Sequence, residues 1–193
     1  MLLLPLLLGF AFQATQYARA PAEYNYYLVY AKNADVALKP GNDLSPNGLT
    51  LLQNSTSQEG LYTLTLGKWG PGYRINYTDA FRVCNREVFD IKMIGFNFTS
   101  ASAGTENIRI WVQNDTNGDS VGDTWVTVFD GQPRLSSSNY IYMKAPSSYE
   151  NDGGLSKVWI EILIATSGHN LTNAQPEIPY TGNIYLWFTS ATF

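Results

Sequence analysis

Between positions 10 and 30 the even-numbered residues read Phe10, Phe12, Ala14, Gln16, Ala18, Ala20, Ala22, Tyr24, Tyr26, Leu28 and Tyr30, and only Gln16 interrupts the apolar row. The odd positions are mostly polar, with Gln13, Thr15, Arg19, Glu23 and Asn25 among them. Successive side chains of a strand point to opposite sides of the pleat, so strict alternation predicts an extended segment with one buried face. Some twenty residues at about 3.3 Å each span about 65 Å, whereas a compact chain of this length has a radius of gyration near ~16 Å. Such a strand outruns its own domain. The excess is expected in a neighbouring copy, with Phe10, Phe12, Ala14, Ala18 and Ala20 as the subunit-interface residues of an arm that completes another subunit's sheet.

Downstream, short β-rich runs alternate with turn clusters: 49–53, 61–66, 73–77, 80–84, 88–99, 108–113, 124–129, 140–143, 157–164 and 183–189. Helical periodicity is nearly absent. About ten such strands predict an all-β fold, an antiparallel β-sandwich of jelly-roll-like form with an extended N-terminal donor strand. Residues 39–43 and 146–154, rich in Pro, Gly, Asn and Asp, are expected as exposed loops. The division is an apolar arm over residues 1–22 and a single sandwich domain over residues 23–193.

Residues 1–12 read MLLLPLLLGFAF, the length of a signal-peptide apolar region and too short to cross a bilayer, which takes about twenty residues. One reading clips this head after Ala14 or Ala20; the other retains it, since no Lys or Arg precedes the Leu run. Either leaves the stretch from Thr15 to Tyr30 as an extended arm and points to export. A type IV pilin is a weaker option, because its assembly helix needs a longer apolar stretch.

Composition narrows the function. The 193 residues carry 15% charged side chains and a net charge of −4, with no basic run, which argues against nucleic acid. Cys84 is the only cysteine and His169 the only histidine, so one chain builds no intrachain disulfide, thiolate zinc site or two-histidine relay. His169 lies in a turn-like Ser167-Gly168-His169-Asn170 stretch and no Gly-x-Ser-x-Gly elbow occurs, so a catalytic triad is not expected. Glu150, Asp152, Glu161 and Glu177 are scattered, with Glu161 expected to face solvent from an alternating strand, and no enzyme activity is expected. Five Asn-x-Ser/Thr sequons, at Asn54, Asn76, Asn97, Asn114 and Asn170, favour an exported glycoprotein.

Asp115, Asn117, Asp119 and Asp123 have oxygen ligands at calcium-loop spacing around Gly118 and Gly122. The stretch resembles the Asp-rich calcium repeats of thrombospondin-type adhesion proteins, although a single copy stands here. The competing reading is an Asx-rich hairpin turn between two strands. No other cofactor is expected. Trp111, Trp125, Trp159 and Trp187 all fall in predicted strands, where they serve as core or subunit contacts or as an aromatic platform for sugars.

From Lys68 to Asn85 the chain reads KWGPGYRINYTDAFRVCN, and it resembles the TasA/camelysin-like biofilm matrix proteins and, more closely, the archaeal bundling pilins. The motif is a Pro-Gly turn, Pro71-Gly72, followed by a strand of the form Phe-x-Val-x-Asn at Phe81, Val83 and Asn85, and then the long run 88–99. The likeness covers about residues 47–112. It implies a jelly-roll subunit whose N-terminal strand is donated to the next subunit of an extracellular filament or biofilm fibre, a head-to-tail homopolymer with lateral contacts to other filaments. The peptidase activity attributed to camelysin is not implied, because no zinc motif is present. A secreted monomeric glycan-binding module is the alternative expectation, and a secreted hydrolase stands third.

Overall fold

The computed structural model describes residues 36–54, 62–99, 104–114, 123–145, 153–168, 171–172 and 177–190. These form ten strands: β1 (Val36–Pro40), β2 (Leu52–Asn54), β3 (Tyr62–Leu64), β4 (Arg74–Asn85), β5 (Ile91–Thr99), β6 (Ile108–Asn114), β7 (Thr124–Asp130), β8 (Ile141–Met143), β9 (Gly153–Leu163) and β10 (Asn183–Ser190). All pairings are antiparallel. A five-stranded sheet runs β1-β4-β9-β6-β7, a three-stranded sheet runs β10-β5-β8, and β2 and β3 form a separate hairpin. The protein is therefore all-β, with antiparallel sheets in a sandwich-like arrangement around one core.

Period-two alternation sets which side chains build that core. On β4, Ile75 and Tyr77 are buried while Arg74, Asn76 and Thr78 are exposed. On β6 and β9, Ile110, Val112, Val158 and Ile160 point inward and meet Met93 and Phe96 of β5 and Ile141 and Met143 of β8. Leu51 and Leu52 at the head of β2 close the same cluster, and Tyr77 donates its hydroxyl to the Leu66 carbonyl at 2.7 Å, tying the hairpin's exit to the large sheet.

Strand β1 was not expected from the sequence pattern. Its five residues alternate weakly and end in Lys39-Pro40, a stretch read as an exposed loop. The chain from 39 to 43 instead lies along a bulge in β4, where the register passes from Tyr77–Ile160 to Phe81–Val158. Gly41 is buried there, so close to β4 that a Cβ would overlap the Asp79 carbonyl. Asp43 accepts the Asp79 N–H at 2.5 Å and returns its own N–H to the Asp79 carbonyl at 3.2 Å. At this bulge the buried Asp79 carboxylate is held by Arg82, whose Nε and Nη2 donate to its two oxygens.

The bulge also merges two expected strands, 73–77 and 80–84, into one. Gly153 and Gly154, expected in a loop, begin β9. The expected arm over residues 1–22 lies outside the described residues.

Candidate functional site

Four strands end the two main sheets, and their sequences differ in how they resist pairing with another chain. β1 carries Lys39 and Pro40, and proline has no N–H to offer. β7 is covered by its own continuation: Phe129 bridges Pro133, and the Arg134 N–H reaches the Val128 carbonyl at 2.9 Å. β8 has three residues. β10, by contrast, is eight residues long, reads NIYLWFTS, and contains no charge, no proline and no glycine. Among the described residues no strand pairs with β10 on the side away from β5. A long, uncharged, apolar outer strand is the kind of edge that recruits another strand.

The inner face of β10 carries the same message. Ile184, Leu186 and Phe188 pair across from Phe98, Phe96 and Met93. Phe96 and Met93 are fully buried, whereas all three β10 partners touch the core and stay half-buried. β5 is flanked on both sides and β10 on one, so burial falls off toward the edge. An added strand would cover these side chains.

Two aromatic patches stand on the opposite outer faces of the sandwich. On the large sheet the register places Trp159 directly across from Trp111, and Gln113 across from Trp125. Trp159 lies 5.6 Å from both Trp111 and Trp125 between ring centroids. Its indole nitrogen is buried without a hydrogen-bond acceptor. One row along, Glu161 is paired with Arg74 and lies 3.6 Å from Arg109. The expectation for Glu161 is corrected in part: it projects from the outer face, yet only 3% of its side chain is exposed because the two arginines fold over it. On the small sheet, Tyr185 and Trp187 stack at 28° with centroids 6.4 Å apart, and about half of each remains exposed.

The remaining expected residues are spread out. Phe10, Phe12, Ala14, Ala18, Ala20, Asp115, Asn117, Asp119, Glu150, Asp152, His169 and Asn170 lie outside the described residues. Asp123 is exposed, and its N–H reaches the Asn114 carbonyl at 2.9 Å at the base of the β6–β7 connection. Among the described residues no group of three His, Cys, Asp or Glu is placed to hold a metal, and no helix is long and apolar enough to cross a membrane. Glu177 pairs with Lys68 at 2.6 Å on the surface. Burial pushes the Cys84 thiol up despite the nearby Lys39, Arg86 and Arg82, which keeps it protonated and a poor nucleophile.

Of the sequons, Asn54 ends β2, Asn76 is exposed on β4, Asn97 projects from β5, and Asn114 ends β6 with its side-chain carbonyl accepting the Tyr142 N–H at 2.7 Å. Sequence reasoning missed Tyr185 and the edge character of β10, though the lack of charge from 183 to 190 was visible. No protein-family model matches the chain, and no curated protein sequence matches it either.

Proposed function

We propose that this chain is the structural subunit of an extracellular filament, a pilus or biofilm matrix fibre, that polymerises by donor-strand complementation and serves adhesion and bundling. The observation that carries this reading is the unguarded β10 edge with its half-buried inner row, Ile184, Leu186 and Phe188. The same chain begins with a segment whose alternation fits the missing strand, apolar at Phe10, Phe12, Ala14, Ala18 and Ala20. With the donated strand seated, the three-stranded sheet becomes four-stranded and the sandwich approaches the jelly-roll-like form. Donation from one copy to the next is a heterologous contact that does not close, so it builds fibres. The resemblance of the Pro71 to Asn85 region to biofilm matrix proteins and archaeal bundling pilins supports the same reading.

Electron microscopy of the purified full chain and of a form lacking residues before Glu23 tests it. Fibres from the full chain and soluble monomers from the truncated form are expected. Fibres that persist after truncation overturn strand donation.

A second reading, a glycan-binding surface module, is favoured by the Trp111–Trp159–Trp125 cluster beside the Arg74–Glu161–Arg109 group. Rings that stack sugars and fixed donors that hydrogen-bond hydroxyls are what such a surface needs. Quenching of tryptophan fluorescence by a polysaccharide, lost in Trp125→Ala, would support it, and an unchanged spectrum would count against it.

A further inference from the structure

Asn97 and the Tyr185–Trp187 pair occupy one surface. β5 and β10 pair so that Asn97 lies directly opposite Tyr185 and Thr99 opposite Asn183. Residues two apart on a strand share a face, so the two required positions of the sequon, Asn97 and Thr99, project together from the outer side of the small sheet. Phe98 between them turns inward and packs edge-on against Phe129 at 4.8 Å, which fixes the sequon's orientation. The Asn97 side-chain carbonyl accepts the Phe98 N–H at 2.8 Å, and among the described residues no acceptor takes a hydrogen bond from its amide nitrogen. Directly opposite strand neighbours have Cβ atoms about 5 Å apart, and diagonal ones about 7–8 Å apart, which puts Tyr185 and then Trp187 within reach of a group attached to Asn97.

We propose that Asn97 carries an N-linked oligosaccharide whose first sugar ring packs on the exposed Tyr185–Trp187 stack. The inference is independent of the filament reading. It names what covers an aromatic surface that is otherwise half open to water. At Asn76 the arrangement differs: directly opposite it stands Glu161, clasped by its arginines, and no aromatic ring. In the reaction the Asn97 amide nitrogen attacks the anomeric carbon of an oligosaccharide carried on a lipid phosphate. The nitrogen–carbon bond forms, the bond from that carbon to the phosphate oxygen breaks, the lipid phosphate leaves with the electron pair, and the amide gives up one proton.

The full chain, made in a host that glycosylates Asn-x-Thr acceptors, tests this by mass spectrometry of the tryptic peptide 93–109, which contains Asn97 as its only sequon. The expected result is a sugar on Asn97 that is absent from Asn97→Gln. Protons of the first sugar should shift upfield in the NMR spectrum from the ring currents of Tyr185 and Trp187. The glycosylated protein should melt about 2–4 °C above the enzymatically deglycosylated one. That gain should vanish in Trp187→Ala and survive in Trp125→Ala on the other face. An unmodified peptide 93–109, in a host that modifies a control acceptor, overturns the proposal. So does a sugar with unshifted protons, a readout of the wild-type protein that needs no variant to fold.

Discussion

Trp187 lies across Gly95, its direct partner on the neighbouring strand, so closely that any side chain at position 95 would overlap the indole. Gly95 has no unusual backbone requirement that calls for glycine; what it supplies is room. Gly95→Ala is expected to destabilise the protein by about 1–3 kcal/mol, the usual range for an overpacked contact. The cost should shrink in the Gly95→Ala, Trp187→Ala double variant, because the two residues share one contact. Urea midpoints of the four proteins measure this, and purely additive costs would show that the overlap relaxes elsewhere.

Glu161 and its two arginines predict an asymmetry. The carboxylate is buried and the guanidiniums are largely solvated. Removing both arginines leaves a buried anion without partners, whereas removing the charge of Glu161 leaves two arginines that water can satisfy. Arg74→Ala with Arg109→Ala is expected to cost about 1–3 kcal/mol and Glu161→Gln less than about 1 kcal/mol. Denaturant titration checks the order, and the reverse order would mean that Glu161 stabilises chiefly by pairing.

Asp79 and Asp90 make the fold sensitive to acid. Burial pushes the Asp79 carboxyl up, but the Arg82 hydrogen bonds and charge outweigh it and hold it below the usual range. At Asp90 burial again pushes upward, and is outweighed by the Tyr142 hydroxyl and the Ala145 N–H, which donates at 2.7 Å. A carboxyl depressed in the folded state contributes stability that is fully present above its unfolded value, about 3.9, and is lost as pH falls through the folded value. Melting temperature should therefore hold at neutral pH and fall steadily below about pH 4. Asp79→Asn should lower the neutral-pH value and flatten the acid slope. An equal slope in both proteins would remove Asp79 as a cause.

Most of the fold was legible because one face of each long strand is apolar. The segments expected at 108–113, 124–129 and 183–189 match β6, β7 and β10 within a residue at each end. β1 escaped because Val36–Pro40 is short and finishes in residues that usually mark a turn; its pairing depends on β4, which no local pattern reveals. The bulge at Asp79 was hidden for the same reason, since it is held by Gly41 and Asp43 from a distant part of the chain. The burial of Glu161 required two arginines from β4 and β6 to meet on β9. The Tyr185–Trp187 stack was half visible, as alternation on β10, while its proximity to Asn97 depends on a strand register that pairs Asn97 with Tyr185, 88 positions further along the chain.

Strand donation makes a prediction about the arm that separates it from a merely sticky β10 edge. If the even-numbered face of the arm fills the inner row beside Ile184, Leu186 and Phe188, charge on that face must be excluded while charge on the other face is tolerated. Phe10→Asp with Phe12→Asp should abolish fibres and leave monomers. Gln13→Asp with Thr15→Asp should still assemble. A synthetic peptide of residues 10–30 should raise the melting temperature of the truncated protein, and the peptide with both Phe→Asp changes should not, because a strand in the correct register gains its ladder hydrogen bonds only when its apolar face is buried. Electron microscopy and a thermal melt read the two halves of this test. Equal loss of fibres in both variant pairs would mean that the arm acts through its net charge and not through a seated strand.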